Sequence, residues 1–250
     1  MRRSTKYAPF LVLGVVACES GGSLSPSIGR TGSTATGSGD LVEAVVVDSM
    51  RSPALAGAPT ATTEGDDFRL ERGGIHWAAG DPVEYTVAGT EPVSGANTAI
   101  VNSEATVDGF VTTRSFTRND ATTQTNPCTG EPNSVHWGPI DGEGGTVAAT
   151  SVCFALQTKE ILGFDMIIDQ DEPWVIGSNA DALDVQNTVT HEFGHVAGLD
   201  HVRPPKDGCL TMFTYVALGE IQKRTLGLGD KLGLHDLYGS TDVSAGSCGS

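Results

Sequence analysis

Residues 191–201, HEFGHVAGLDH, constrain this chain more than any other stretch. Two histidines four positions apart lie on one side of an α-helix, about 40° apart around its axis. That arrangement suits two ligands on one metal ion. Neutral imidazole is a good zinc ligand, and a catalytic zinc site takes three protein ligands and leaves its fourth position to water. His191 and His195 supply two of the three. Gly198 can adopt the left-handed conformation that ends a helix, so the chain can double back and bring His201 to the same ion. Glu192 stands next to the first ligand, where a carboxylate reaches water on the metal. Val185, Val189, Phe193 and Val196 fall within roughly 80° of arc, and the two histidines point more than about 90° away from them. The expectation is a helix with one face on the core and the other lining a cleft. With 6 histidines in 250 residues, the full pattern including Gly198 and His201 arises by chance in roughly a few of 10⁵ such chains. Surface histidines on an ordinary amphipathic helix are therefore a poor explanation.

The N-terminus carries targeting information. Arg2, Arg3 and Lys6 form a basic start, and Phe10 to Ala17 is an apolar run far shorter than the ~20 residues of a spanning helix. Residues 1–18 are read as a signal peptide. Val15-Val16-Ala17-Cys18 resembles the lipobox of bacterial lipoproteins, which implies lipidation of Cys18; the alternative is a secretory signal cleaved after Ala17. Both put the protein outside the cytoplasm, anchored by lipid to the cell envelope or secreted. Residues 19–39 are Gly, Ser and Thr with little apolar content, a flexible linker. Residues 40–74 contain a β-type apolar run, Leu41 to Val47, then a Pro/Ala/Gly/Thr-rich stretch, and the sequence leaves open whether they form a pro-segment, an extra strand or a loose arm.

The remaining ~200 residues suffice for one domain with its own core. Without Arg2, Arg3 and Lys6 the chain has 12 basic residues against 31 acidic ones, a net charge of −19, which excludes nucleic acid as a natural partner. Setting Cys18 aside, Cys128, Cys153, Cys209 and Cys248 make an even set in an oxidising compartment, with three possible connectivities; Cys128–Cys153 with Cys209–Cys248 is favoured. Val83 to Val87 alternates as a strand, residues 96–108 have helical spacing, and a second strand is expected near Phe110 to Phe116.

HExxHxxGxxH is the signature of the metzincin zinc peptidases, and this chain resembles them further. Met212, eleven residues after His201, matches their methionine turn. Residues 141–149, DGEGGTVAA, resemble the DGxGGxLAHA loop and strand of the matrixin branch; residues 165–174, DMIIDQDEPW, resemble its DxHFDxDExW; and GLGDKLGLHDLYG resembles its C-terminal helix DDIxGIxxLYG. The resemblance covers residues 75–240, leaving 241–250 as a tail. It implies an α+β fold: a twisted mixed β-sheet with an active-site helix and a C-terminal helix. It also implies a structural calcium ion held by Asp141, Asp169 and Glu172, since hard oxygen ligands suit calcium.

The departures from the family pattern are specific. The histidines that hold a second, structural zinc in matrixins fall at Ala149 and Ile167 here, so that zinc is not expected. No match to the cysteine-switch motif PRCGxPD is present. The Pro-x-Tyr after the methionine turn is absent; Tyr215, three residues past Met212, is the candidate to stabilise an oxyanion. His76, His136 and His235 are read as structural or surface residues. The resemblance implies a monomeric zinc endopeptidase acting on proteins or peptides, with Glu192 as general base. The competing reading is a catalytically silent, zinc-stabilised binding lipoprotein, against which Glu192 argues, because a purely structural site needs no base and normally fills its fourth position.

Overall fold

The computed structural model describes residues 30–35, 41–51, 65–202 and 208–244. Its elements in chain order are β1 (Arg30–Ala35), β2 (Leu41–Arg51), β3 (Arg69–Leu70), β4 (Val83–Ala88), α1 (Ala96–Asp108), β5 (Phe116–Arg118), β6 (Asn133–Gly138), β7 (Thr146–Ala155) and β8 (Ile161–Asp169). There follow β9 (Trp174–Val175), β10 (Leu183–Asp184), α2 (Val185–Val196), β11 (Leu199–Asp200), β12 (Tyr215–Val216) and α3 (Leu228–Tyr238).

The main sheet runs β1-β2-β7-β8-β6-β4-β5, with β12 added beside β2. β5, β4, β6 and β8 are mutually parallel, whereas β7 is antiparallel to β8 and β2 antiparallel to β7. This is the mixed sheet of an α+β domain. Strands buried on both faces read as near-continuous apolar runs, and β7 and β8 do so from Val147 to Ala155 and from Ile161 to Ile168. A disulfide joins Cys128, in the loop before β6, to Cys153 of β7, the favoured one of the possible pairings. Cys18 and Cys248 lie outside the described residues, as do the expected signal peptide and the lipidation site.

Helix α1 occupies the 96–108 stretch its periodicity predicts and packs against α2. The core is centred on Phe193, whose ring lies 5.8 to 6.2 Å from those of Tyr85, Phe116 and Phe164 at tilted or edge-on angles. Each such pair adds about 0.5–1.5 kcal/mol beyond the area it buries. Val185, Val189 and Val196 are fully buried with it, so the apolar stripe faces the sheet as expected.

Two expectations about the elements around the site need correction, and a third lies nearer the N-terminus: residues 30–35, inside the stretch expected to be a flexible linker, form β1 against β2. The strand anticipated near Phe110 to Phe116 begins only at Phe116. Before it the chain turns: the amides of Phe110 and Val111 donate to the last carbonyls of α1, and the hydroxyls of Thr112 and Thr113 donate to Tyr238 O and Trp77 O. These turn and tertiary bonds take the place of a strand ladder over residues 110–115. Helix α2, secondly, is not half exposed toward a cleft. Every residue from Asn187 to Val196 is buried, His191 and His195 included: β7 and β2 pack against the helix, Met212 seats against Gly194, and Thr211 O meets the His191 ring. The stretch of uncertain role, residues 40–74, supplies β2 to the main sheet and β3 to a small one.

Candidate active site

Helix α2 starts at a strongly fixed cap. Asp184 accepts from Asn187 N (2.8 Å) and from Gly177 N (2.6 Å), and Arg224 grips both of its carboxylate oxygens at 2.7 and 2.6 Å. A carboxylate at an N-cap satisfies an orphan amide and complements the helix dipole. At the other end Trp77 Nε1 donates to Val196 O and Tyr238 Oη to Ala197 O, both at 2.8 Å, so carbonyls without intrahelical partners are satisfied.

Gly198 then turns the chain with φ +93°. Its carbonyl accepts from Glu71 N (2.9 Å), and the next two residues, β11, pair antiparallel with β3. The turn that delivers His201 is thus held by the segment leading into the domain. Burial, followed by the neighbouring Asp200, pushes the Glu71 carboxyl up to about 7.

The result is a compact trio. Nε2 of His191 lies 3.0 Å from that of His201, and Nε2 of His195 lies 3.1 Å from each. The opposite ring nitrogens face backbone oxygens, His191 Nδ1 to Thr211 O (2.5 Å) and His195 Nδ1 to Leu199 O (2.8 Å). A carbonyl oxygen only accepts, so these Nδ1 atoms carry the protons and the Nε2 lone pairs converge on one point. Burial, reinforced for His191 by the Lys223 charge, pushes both imidazoles down, His195 to about 4. They are neutral at neutral pH, the form that binds metal. Three converging lone pairs repel one another unless a cation lies among them, and backbone-anchored Nδ1–H groups are the usual support of metal-ligating histidines. The donor set therefore fits a metal ion. Among the described residues, these are the histidine, cysteine, aspartate or glutamate side chains gathered closely enough in a group of three to hold one.

Beneath the trio lies Met212, buried at 1% exposure. A Cβ on Gly194 would come 2.2 Å from Met212 Sδ, so glycine between the two histidines is what lets the sulfur seat against the helix. The turn is pinned by Asp230 at the start of α3, which accepts from Thr211 N (2.7 Å), Met212 N (3.1 Å) and Gly227 N (2.8 Å). The buried ammonium of Lys223 donates to Phe213 O (2.7 Å) and Tyr215 O (2.5 Å) and lies 3.9 Å from Glu220. Burial pushes its pKa down.

Glu192 is fully buried, and its Oε2 accepts from the hydroxyl of Thr150 on β7 at 2.6 Å. Sequence reasoning did not single out Thr150, Asp230 or Lys223. Thr150 had one visible signal: it stands at the last position of the DGxGGxLAHA pattern, where the pattern has alanine.

The other candidates are placed as follows. Asp141, Asp169 and Glu172 lie on two loops knitted together by backbone amides: Asp141 N donates to Asp169 (3.2 Å), Gly144 and Gly145 N to Glu172 (2.7 and 3.3 Å), and Thr146 N to Asp141. The loops meet, but the three carboxylates do not gather into a ligand group like that of the histidines. Tyr215 lies in β12, its ring 6.0 Å from Phe213 in a small cluster with Val202 and Leu210. His76 and His235 bond to nearby backbone oxygens, and Ala149 and Ile167 face each other across β7 and β8.

Residues 119–239 match the family model for matrixin. Over that stretch, 121 of its 250 residues, the chain resembles the matrixin branch of the metzincins. Human matrix metalloproteinase-16 is 33% identical over 105 residues, 42% of this chain and 16% of its own length. Mouse stromelysin-3 is 32% identical over 106 residues, 42% of this chain and 19% of its own length. The chain thus spans under a fifth of these relatives. The crystal structure of myroilysin aligns with 77% of this chain and 99% of that one, at 14% identity and a TM-score of 0.38.

Proposed function

We propose that this matrixin-like domain is a zinc-dependent endopeptidase that hydrolyses peptide bonds in proteins. The observation that carries the reading is the trio of convergent Nε2 atoms beside a buried carboxylate held by Thr150. His191, His195 and His201 would hold the zinc. When bound, zinc supplies Lewis acidity that polarises the scissile carbonyl and lowers the pKa of water from 15.7 toward about 7. Glu192 accepts the proton of the attacking water and returns it to the leaving amine. Thr150 donates its hydroxyl to Oε2 of Glu192 and so helps hold the carboxylate in place. Tyr215 is the proposed partner of the developing oxyanion, and a fall in kcat without a change in KM for Tyr215→Phe would assign it that role.

The test is cleavage of an unstructured protein such as casein by the zinc-loaded chain, beside a chelator-treated sample and Glu192→Ala. Loss of a proton-transfer group costs ~10²–10⁴-fold in rate. Full proteolysis by Glu192→Ala would sink the mechanism. A silent binding lipoprotein is not favoured, since Glu192 is positioned by its own hydrogen bond rather than left as filler.

Two further parts of the proposal rest on the sequence. Calcium bridging the loops of Asp141, Asp169 and Glu172 is supported by their meeting through carboxylate–amide bonds. Protein stripped with a chelator should then regain its full melting temperature only when calcium is restored with zinc, as ligand linkage requires; full recovery with zinc alone would remove calcium from the structure. Tethering to the envelope through Cys18 is the other, and lipid labelling that survives Cys18→Ser would refute it. Among the described residues no helix is long and apolar enough to cross a membrane.

A further inference from the structure

Strand β2 lies between β7 and β12, beside the histidine trio and its neighbouring carboxylate. It pairs antiparallel with β7 over nine residues, from Val42 opposite Ala155 to Met50 opposite Thr146. Its last two residues pair at the same time, in parallel, with β12: Met50 opposite Tyr215 and Arg51 opposite Val216. β7 carries Thr150, which holds Glu192, and Val47 stands opposite Thr150. β12 begins three residues past Met212, the floor of the histidine trio. One extended segment therefore bridges the two walls of the site, level with the general base. It also packs on α2, with Val45 and Val47 buried in the cluster that contains Phe193 and Met212.

An extended peptide binds such a place by adding to a free strand edge through main-chain hydrogen bonds. Here the edge of β7 and the edge of β12 are both taken by the chain itself. We infer that residues 41–51 are a tethered occupant of the substrate track, and that β2 must leave β7 and β12 before a protein substrate can enter. The inference rests on the peptidase reading above and names the regulation of that site. The occupant is held at its far end by the ion pair of Glu43 with Arg72 (3.0 Å) and on its outer edge by β1. A segment linked through a short chain competes at an effective concentration on the order of millimolar, so it raises the apparent KM of a peptide substrate rather than abolishing its binding.

This differs from latency by a thiol on the metal. The occupant blocks through backbone pairing and needs no residue that binds the ion.

The experiment uses the full chain with zinc. In Val46→Pro/Val47→Pro, whichever way the strand faces, one of two successive amides pointed to β7 is lost, and proline is excluded from a central strand. The expected result is a KM for a short fluorogenic peptide at least tenfold lower than wild type, with binding of a non-cleavable peptide hydroxamate at least tenfold tighter by calorimetry. A synthetic peptide of residues 41–51 should inhibit this variant competitively. Because the proline variant can fail for reasons of folding, the converse is measured too. Val46→Cys/Ser151→Cys joins direct cross-strand partners, and the oxidised lock should lower hydroxamate affinity and peptide turnover at least tenfold below wild type. A lock that binds and cleaves as wild type does, or a folded, zinc-loaded proline variant with unchanged KM and hydroxamate affinity, overturns the inference and makes β2 a permanent strand. Tighter hydroxamate binding without cleavage by any form would instead sink the peptidase reading and leave the occupant in place.

Discussion

Replacing Gly198 by alanine tests how the third ligand is delivered. Gly198 sits at φ +93°, and a Cβ there would lie 2.3 Å from the carbonyl oxygen of Ile75 and 3.3 Å from Leu237 Cδ1. A left-handed conformation costs a residue with a Cβ about 1–2 kcal/mol. Contact with a backbone oxygen cannot be relieved by a rotamer change, and overpacking of this kind costs a further ~1–3 kcal/mol. The smaller entropy of the unfolded alanine chain returns about 0.4–1 kcal/mol. The net loss of about 2–4 kcal/mol corresponds to a fall in Tm of about 4–15 °C for a domain of this size. Gly177→Ala is the control: φ there is +101° with nothing within 4 Å of the added carbon, so it reads the conformational cost alone. Melting of the three proteins with and without zinc, plus zinc content per chain, completes the assay. Gly198→Ala should lose more stability than Gly177→Ala and should also bind zinc more weakly. A Gly198→Ala protein that melts within ~2 °C of wild type with a full complement of zinc would refute the close approach of the ligand turn to Ile75.

Asp230→Ala should loosen the metal centre from a distance: three buried amides lose their acceptor, each worth about 1–3 kcal/mol if left unpaired. Zinc affinity, read by chelator competition, should fall ~10–100-fold as it does when outer supports of a site are removed, and unchanged affinity would detach the methionine turn from metal binding. Asp165 sets a pH dependence. Burial pushes its carboxyl up to about 6, against the ordinary 3.8, while the hydroxyl of Ser134 and amide of Asn126 pull it back. The folded state therefore holds this proton more tightly than the unfolded chain does, so stability is lost as pH rises from about 4 through about 6, by ~1–3 kcal/mol. Asp165→Asn should melt close to wild type at pH 4 and gain on it by pH 7; parallel Tm profiles for the two proteins would show that Asp165 titrates normally.

Local signals and non-local ones separated sharply in this chain. The metal helix, its ending at Gly198 and the helix over 96–108 were legible because each follows from spacing within a short window, and the presence of disulfides followed from the compartment, though their pairing stayed one of three. The burial of His191 and His195 was not, because it depends on segments that the fold brings to α2 from elsewhere in the sequence, the one around Met212 among them. For the same reason the stretch from Leu41 reads as β-prone while its partner strands do not show. Asp230 and Lys223 look like ordinary charges in a polar stretch; their roles exist only once backbone groups of the Met212 segment are brought to them. The misplaced strand near Phe110 has the opposite cause, since two threonines there spend their hydroxyls on distant carbonyls.

The pairing of β3 with β11 joins residues 69–70 to the turn that carries His201. Contacts between distant parts of a chain form late, because their loop-closure cost must be met before they return any stability. His191 and His195 can face each other as soon as α2 forms, but the third ligand comes into place only when residues 69–71 have closed on residues 198–200. Metal affinity is then a readout of completed folding. A newly made or partly unfolded chain holds two imidazoles and no finished site, and it completes the trio of converging nitrogens as the last product of its own assembly.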